Sequence, residues 1–240
     1  MTNQAMDPDR VQIASPLKTP RAAAVAGIAF SVLAIASLVL IQLSIPAHPG
    51  QPGSWLHDPA RRTTVDVAMN LVPFAGIAFL WFIGVIRDRV GRHEDRFFAT
   101  VFIGSGLLFV GMFFVAAGIE GGIIAGESAR SFGSSASGTL ALGRDVTSVL
   151  VSTYAVRMAA VFTLTTVTIA RRTKIISRWL TYAGMAVALV LLIGSGISVW
   201  VQLLFPAWIL ALSVDVLVAG RPGRSPRVGD ATGSASGHRG

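Results

Sequence analysis

The chain has 240 residues, 52% of them hydrophobic and only 13% charged, with a net charge of +8 and no cysteine. A soluble domain averages about 25% charged residues, so the composition excludes an ordinary water-soluble domain, and the missing cysteine excludes a disulfide framework, thiolate ligands and a thiol nucleophile. The positive charge does not signal nucleic acid, because it lies in short clusters between apolar runs instead of on one face.

Residues 1–21 are polar, hold Pro8, Pro16 and Pro20, and read as a flexible cytoplasmic arm. The first apolar run, 22–45, is longer than the about 7–15 residues of a signal-peptide core and reads as an uncleaved helix. Pro46, Pro49, Pro52 and Pro59 mark the next stretch as a loop. The second helix is expected at 65–86, where Thr63-x-x-Asp66 has the spacing of a capping box. A charged turn from Arg87 to Arg96 leads into a third helix at 97–125. Residues 126–144 are rich in Ser and Gly with no apolar period, which predicts a flexible loop, and Asp145 is placed to cap a fourth helix at 146–170. Residues 179–218 would span about 60 Å as one helix, twice the about 30 Å bilayer core. The run is therefore split at Gly194-Ser195-Gly196 into helices at 179–193 and 198–218. Pro73 and Pro206 are expected to kink their helices, and 220–240 reads as a disordered Arg/Gly/Ser-rich cytoplasmic tail.

The expected fold is thus all-α, an integral membrane bundle of six transmembrane helices over residues 22–219, N-in and C-in. Its cytoplasmic segments would collect Arg10, Lys18 and Arg21; Arg87, Arg89, Arg92 and Arg96; Arg171, Arg172, Lys174 and Arg178; and the arginines of the tail. Only Arg61, Arg62, Arg130 and Arg144 fall outside, the asymmetry of the positive-inside rule. Trp55, Trp179 and Trp200 fall at the expected interfaces, with Trp208 deeper. The run from Leu71-Val72-Pro73-Phe74-Ala75-Gly76 through Trp81-Phe82-Ile83-Gly84 to Arg87-Asp88-Arg89, with Glu94-Asp95-Arg96-Phe97-Phe98 beyond it, resembles a group of uncharacterised actinobacterial integral membrane proteins. The resemblance implies a bacterial plasma membrane and no particular activity.

His48, His57, His93 and His238 fall in loops or tails, and neither a His-Glu-x-x-His zinc site nor a phosphate-binding loop is present. The Gly-Ser-Gly runs lack a base to activate serine. No catalytic residue, metal or cofactor is therefore expected, and the chain reads as non-enzymatic. The informative residues are those whose charge falls at membrane depth, where an ionisable group costs about 2.5–3.5 kcal/mol or more. Glu120 and Arg157 are expected to pair, with Tyr154 on the arginine's face and Asp66 and Asn70 joining from helix two. For Asp66 the preferred reading is the acid of the capping box, at the dipole end of helix two. Asp215 lies near Arg221, which would neutralise it. Gly104, Gly111, Gly118, Gly122 and Gly126 form a stripe opposite Glu120, which predicts close packing inside the bundle, with a dimer interface as the alternative. The expected role is an accessory or scaffold component of an envelope complex; the alternative is a small-solute carrier or channel with a polar cavity in its outer half. Membrane lipids and another membrane protein are the expected partners, nucleic acid is not, and a homo-oligomer is left open.

Overall fold

The computed structural model describes residues 19–44, 58–90, 96–128, 136–173, 177–194 and 198–219. Those residues are helical almost throughout, with no strand among them. The arm before Thr19, the tail after Ala219, Trp55, all four histidines and residues 91–95 of the charged turn lie outside them.

The helices are α1 Thr19–Ser44, α2 Pro59–Val90, α3 Arg96–Ser128, α4 Ala136–Val149, α5 Val156–Thr173, α6 Arg178–Ile193 and α7 Leu204–Ala219. A π-helical segment, Leu150–Ala155, joins α4 to α5, and a 3-10 turn, Val199–Leu203, leads into α7. Five stretches are long and apolar enough to cross a membrane: Arg21–Ser44, Pro59–Arg87, Phe97–Gly126, Gly138–Arg171 and Trp200–Val218. The sixth expected crossing, α6, has 16 residues, or about 24 Å at 1.5 Å per residue.

Local chemistry moves three boundaries from their expected places. The start of α2 is not the Thr63 capping box. Asp58 accepts a hydrogen bond from the Ala60 N–H at 3.0 Å, and Pro59 occupies the first helical position, where its missing N–H costs nothing. Thr63 is already inside the helix and donates to the Pro59 carbonyl at 2.8 Å. Much of the stretch 126–144, expected as a loop, is helix α4, and Asp145 lies inside it instead of capping it. Its Gly and Ser content argues weakly against helix, but tertiary packing overrides propensity. Leu140 packs on a cluster of Val65, Met69, Ile119, Ile123 and Ile124, and a Cβ at Gly143 would come within 2.6 Å of Ile123. Pro206 does not kink a helix middle, because it sits in the first turn of α7, where an N–H is dispensable.

Apart from α4, which runs on into α5 through the π segment, each helix packs antiparallel on the next and the last closes on the first, giving the ring α1–α2–α3–α5–α6–α7–α1. Ser37 donates to the Ala68 carbonyl at 2.9 Å across α1–α2. A Cβ on Gly27 of α1 would collide with Ser213 of α7 and Phe82 of α2, and one on Gly184 of α6 would lie 2.7 Å from the Trp208 ring. One end of the ring therefore gathers the starts of α1, α3 and α6 with the ends of α2, α5 and α7. There Asp215 on α7 accepts from the Ser177 N–H just before α6, at 3.4 Å. This neighbour was not expected, since Asp215 was read against Arg221, which is outside the described residues.

The ring is filled at mid-height by phenylalanines. Phe79 stands with its centroid 4.5 Å from Phe30, 5.4 Å from Phe109, 5.1 Å from Phe162 and 5.7 Å from Phe205. Such pairs add about 0.5–1.5 kcal/mol each beyond the area they bury. Large apolar side chains also cover the outside, among them Leu43, Phe74, Trp81, Leu107, Leu108, Val115 and Leu189, as expected of a bundle whose solvent is lipid.

Candidate functional site

Above the phenylalanines the ring opens into a cavity of about 490 Å³. Most of the elements contribute to its wall: Leu38, Ile41 and Gln42 from α1; Met69 and Val72 from α2; Phe113, Ala116, Ala117 and Glu120 from α3; Arg144, Thr147 and Ser148 from α4; Val151 and Ser152 from the π segment; Val156 from α5; Gly194 just past α6; and Ser198, Val201 and Gln202 ahead of α7. A void of about 20 Å³ continues beneath it, bounded by Phe30, Phe109, Phe205 and Pro206. The cavity is therefore floored by the aromatic core and belongs to the opposite end of the ring from Asp215.

Two features give the cavity its chemistry. Glu120 projects from the inner face of α3 and is 8% exposed, with the Thr147 hydroxyl and the Arg144 guanidinium as its polar neighbours. The Thr147 Oγ1 lies beside that carboxyl without meeting hydrogen-bond geometry, and it is buried and otherwise unpartnered. This departs from the habit of the bundle. Ser31, Ser105, Ser152, Thr163, Thr166 and Ser213 each donate to the carbonyl one turn back, the usual way a helix satisfies a hydroxyl away from water. The second feature is the π segment. The Val156 N–H reaches back five residues to the Val151 carbonyl, and such bulges are rare and concentrate at functional sites. This one places Val151 and Ser152 on the cavity wall.

The expected cluster is only partly brought together. Glu120 is buried as expected, but Arg157 is exposed and lines no part of the cavity, and no ion pair joins the two. Tyr154 is half exposed, at 50%. Asp66 and Asn70 face outward on α2, where the Asn70 amide donates to the Asp66 carbonyl at 2.9 Å instead of to a neighbouring helix. With Asp58 as the true cap, Asp66 is not a capping acid either. The glycine stripe on α3 also turns outward. A Cβ at Gly104, Gly111, Gly118 or Gly122 would have nothing within 4 Å, and Gly126 is half buried. The close approaches fall instead at Gly27, Gly76, Gly106, Gly143 and Gly184, so α3 is a member of the ring with a lipid-side face, not a central helix.

Arg144, Thr147, Ser148 and Ser152 were missed. Their spacing of i, i+3, i+4 and i+8 is that of one helical face, so a polar stripe was present in the sequence. It was hidden because residues up to Arg144 were assigned to a loop. Compared with known protein families, curated proteins and solved structures, the chain matches none.

Proposed function

We propose that the chain is a multi-pass protein of a bacterial plasma membrane that binds a small polar solute in its outer half, in the manner of a carrier. The cavity is the observation that carries this reading. Protein interiors are close-packed, with few voids larger than a water molecule, whereas ligand pockets run from about 300 to 1,000 Å³. The cavity's 490 Å³ and mixed polar wall belong with the second class. The phenylalanine floor favours one-sided access over an open pore. We assign six crossings, with α6 as the short sixth, and both termini to the cytoplasm. Among the described residues Arg21, Arg87, Arg171 and Arg178 are exposed at the end away from the cavity, while Arg61, Arg62 and Arg144 belong to the cavity end. With Arg10, Lys18, Arg89, Arg92, Arg96, Arg172, Lys174 and the arginines beyond Gly220 counted to the first end, the positive-inside rule supports that orientation.

The natural absence of cysteine permits a direct test. Single cysteines replace Ser152 and Gln202 on the cavity wall and Thr166, one turn beyond Phe162 on α5 and buried below the floor, and intact cells are treated with a membrane-impermeant thiol reagent. Ser152→Cys and Gln202→Cys react from outside, and Thr166→Cys does not. If neither cavity cysteine reacts from either side of the membrane, the solute-binding reading fails.

One observation favours the accessory role as a second reading. Arg157 lies about 21 Å along the helix from Arg171 and is exposed on the outer face of α5, with no partner among the described residues. A charge at that depth, facing lipid, is expensive, and an acidic residue on a partner membrane helix would relieve it. A photo-crosslinking residue at Tyr154 then captures a second protein; lipid adducts alone would remove this reading.

A further inference from the structure

We infer that the ligand of the cavity is a small uncharged polyol or sugar, held by hydroxyls and amides on two facing walls. This rests on the reading of the cavity as a solute site. The wall's one acid and one base answer each other: the Arg144 guanidinium acts electrostatically on the Glu120 carboxyl, beside the Thr147 hydroxyl. The cavity therefore has no charge left over. A charged ligand would bring an uncompensated charge out of water, which is costly, and a zwitterion would have to break the interaction between Glu120 and Arg144 to form its own. An uncharged ligand leaves that interaction in place.

What remains on the wall is a set of groups that match a hydroxyl. The Thr147 Oγ1 is buried without a hydrogen bond of good geometry, so it offers a ligand hydroxyl an acceptor and a donor in one place. Further along the same face the Ser152 hydroxyl donates to the Ser148 carbonyl at 2.6 Å, which leaves its lone pairs as acceptors. The Ser198 Oγ accepts from the Trp200 N–H at 3.3 Å, which leaves its proton as a donor. Gln42 and Gln202 add amides, each both donor and acceptor. These groups do not lie together. Thr147, Ser148 and Ser152 stand over the α3–α5 side of the ring, and Gln42, Ser198 and Gln202 stand on the α7–α1 side, opposite in the ring order. A molecule with one polar end satisfies one wall only. A polyol carries hydroxyls along its whole carbon frame and so reaches both, while its C–H groups lie against Phe113, Val151, Val156 and Val201. The volume equals roughly sixteen waters at about 30 Å³ each, enough for a hexose with some of its hydration retained.

The test follows the rate at which Ala117→Cys, at an apolar position of the wall, is labelled in proteoliposomes by a membrane-impermeant thiol reagent. D-glucose, D-mannitol and myo-inositol are compared with D-glucosamine, which is a cation, D-glucuronate, an anion, and L-serine, a zwitterion. At least one of the uncharged compounds slows labelling, and the charged ones act at least about tenfold more weakly. Thr147→Val and Gln202→Leu, each in the Ala117→Cys background, weaken that protection by about fivefold, the equivalent of one neutral hydrogen bond. The unprotected cysteine still reacts in both, which shows that the variants are folded. Equal protection by a charged compound or by the zwitterion overturns the inference, and so does protection that neither variant weakens. A reactive cysteine that no uncharged compound protects overturns it too, and leaves the solute-binding reading standing. If Ala117→Cys, Ser152→Cys and Gln202→Cys all fail to react from either side of the membrane, both readings fall.

Discussion

The two halves of the ring are built on opposite rules. In the half below the phenylalanines, space is used up: Gly27 and Gly184 hold neighbouring helices so close that a single methyl group would collide, Trp208 donates to the Leu180 carbonyl at 3.3 Å, and Asp215 caps the approach to α6. In the half above them, the same helices diverge around a cavity, a carboxyl is buried beside an unpartnered hydroxyl, and α4 departs from regular geometry before it becomes α5. Stability is concentrated in one half and polar chemistry in the other. This division is common where a site must keep groups that packing alone would not favour.

Substitutions test that contrast, and the largest effect belongs to the floor. Phe79→Ala removes the ring that touches most of the aromatic core and costs about 3–5 kcal/mol, read as a loss of unfolding free energy in mixed micelles. Gly27→Val forces bulk against Phe82 and Ser213 and costs about 1–3 kcal/mol by overpacking, whereas Gly118→Ala on the open face of α3 leaves stability equal or raises it by up to about 1 kcal/mol through helix propensity. If the two glycines respond alike, the inward and outward assignments are wrong. Thr163→Val discards a buried hydrogen bond to the Ala159 carbonyl and lowers stability by about 1 kcal/mol. Thr147→Val in the cavity half discards no hydrogen bond of good geometry within the protein, and its melting temperature stays within about 1 °C of the parent's, a shift corresponding to at most about 0.5 kcal/mol. Equal losses for the two threonines would show that the upper hydroxyl is structural after all.

Much of the bundle could be read without coordinates, because lipid imposes simple lengths. The apolar runs, the break at Gly194 and the burial of Glu120 followed from counting residues against a bilayer and from the cost of charge within it. What could not be read is rotation. In a soluble helix the apolar stripe points to the core, but here both faces of α3 are apolar, so nothing local decides whether its glycines look inward or toward lipid. The same ambiguity sent Arg157 to the wrong side of α5. Arg144 was lost for a different reason: a Gly- and Ser-rich segment became helix only because Ile119 and Ile123 offered it a surface, a contact made across some 20 residues of chain.

The π segment bears on this question of rotation. In an α-helix one residue is about 100° of turn, and the bulge at Leu150–Ala155 acts as a single-residue phase shifter between two stretches of helix. Below it, Ala159 and Phe162 face the aromatic core; above it, Arg144 and Thr147 face the cavity. Removing one residue from the segment would let the two stretches fuse into a regular helix and would swing the upper one by about a quarter turn. The polar stripe would then leave the cavity while the core side chains kept their places. The chemistry of the upper half and the packing of the lower half can thus be set independently along one continuous rod, with one inserted residue as the vernier between them.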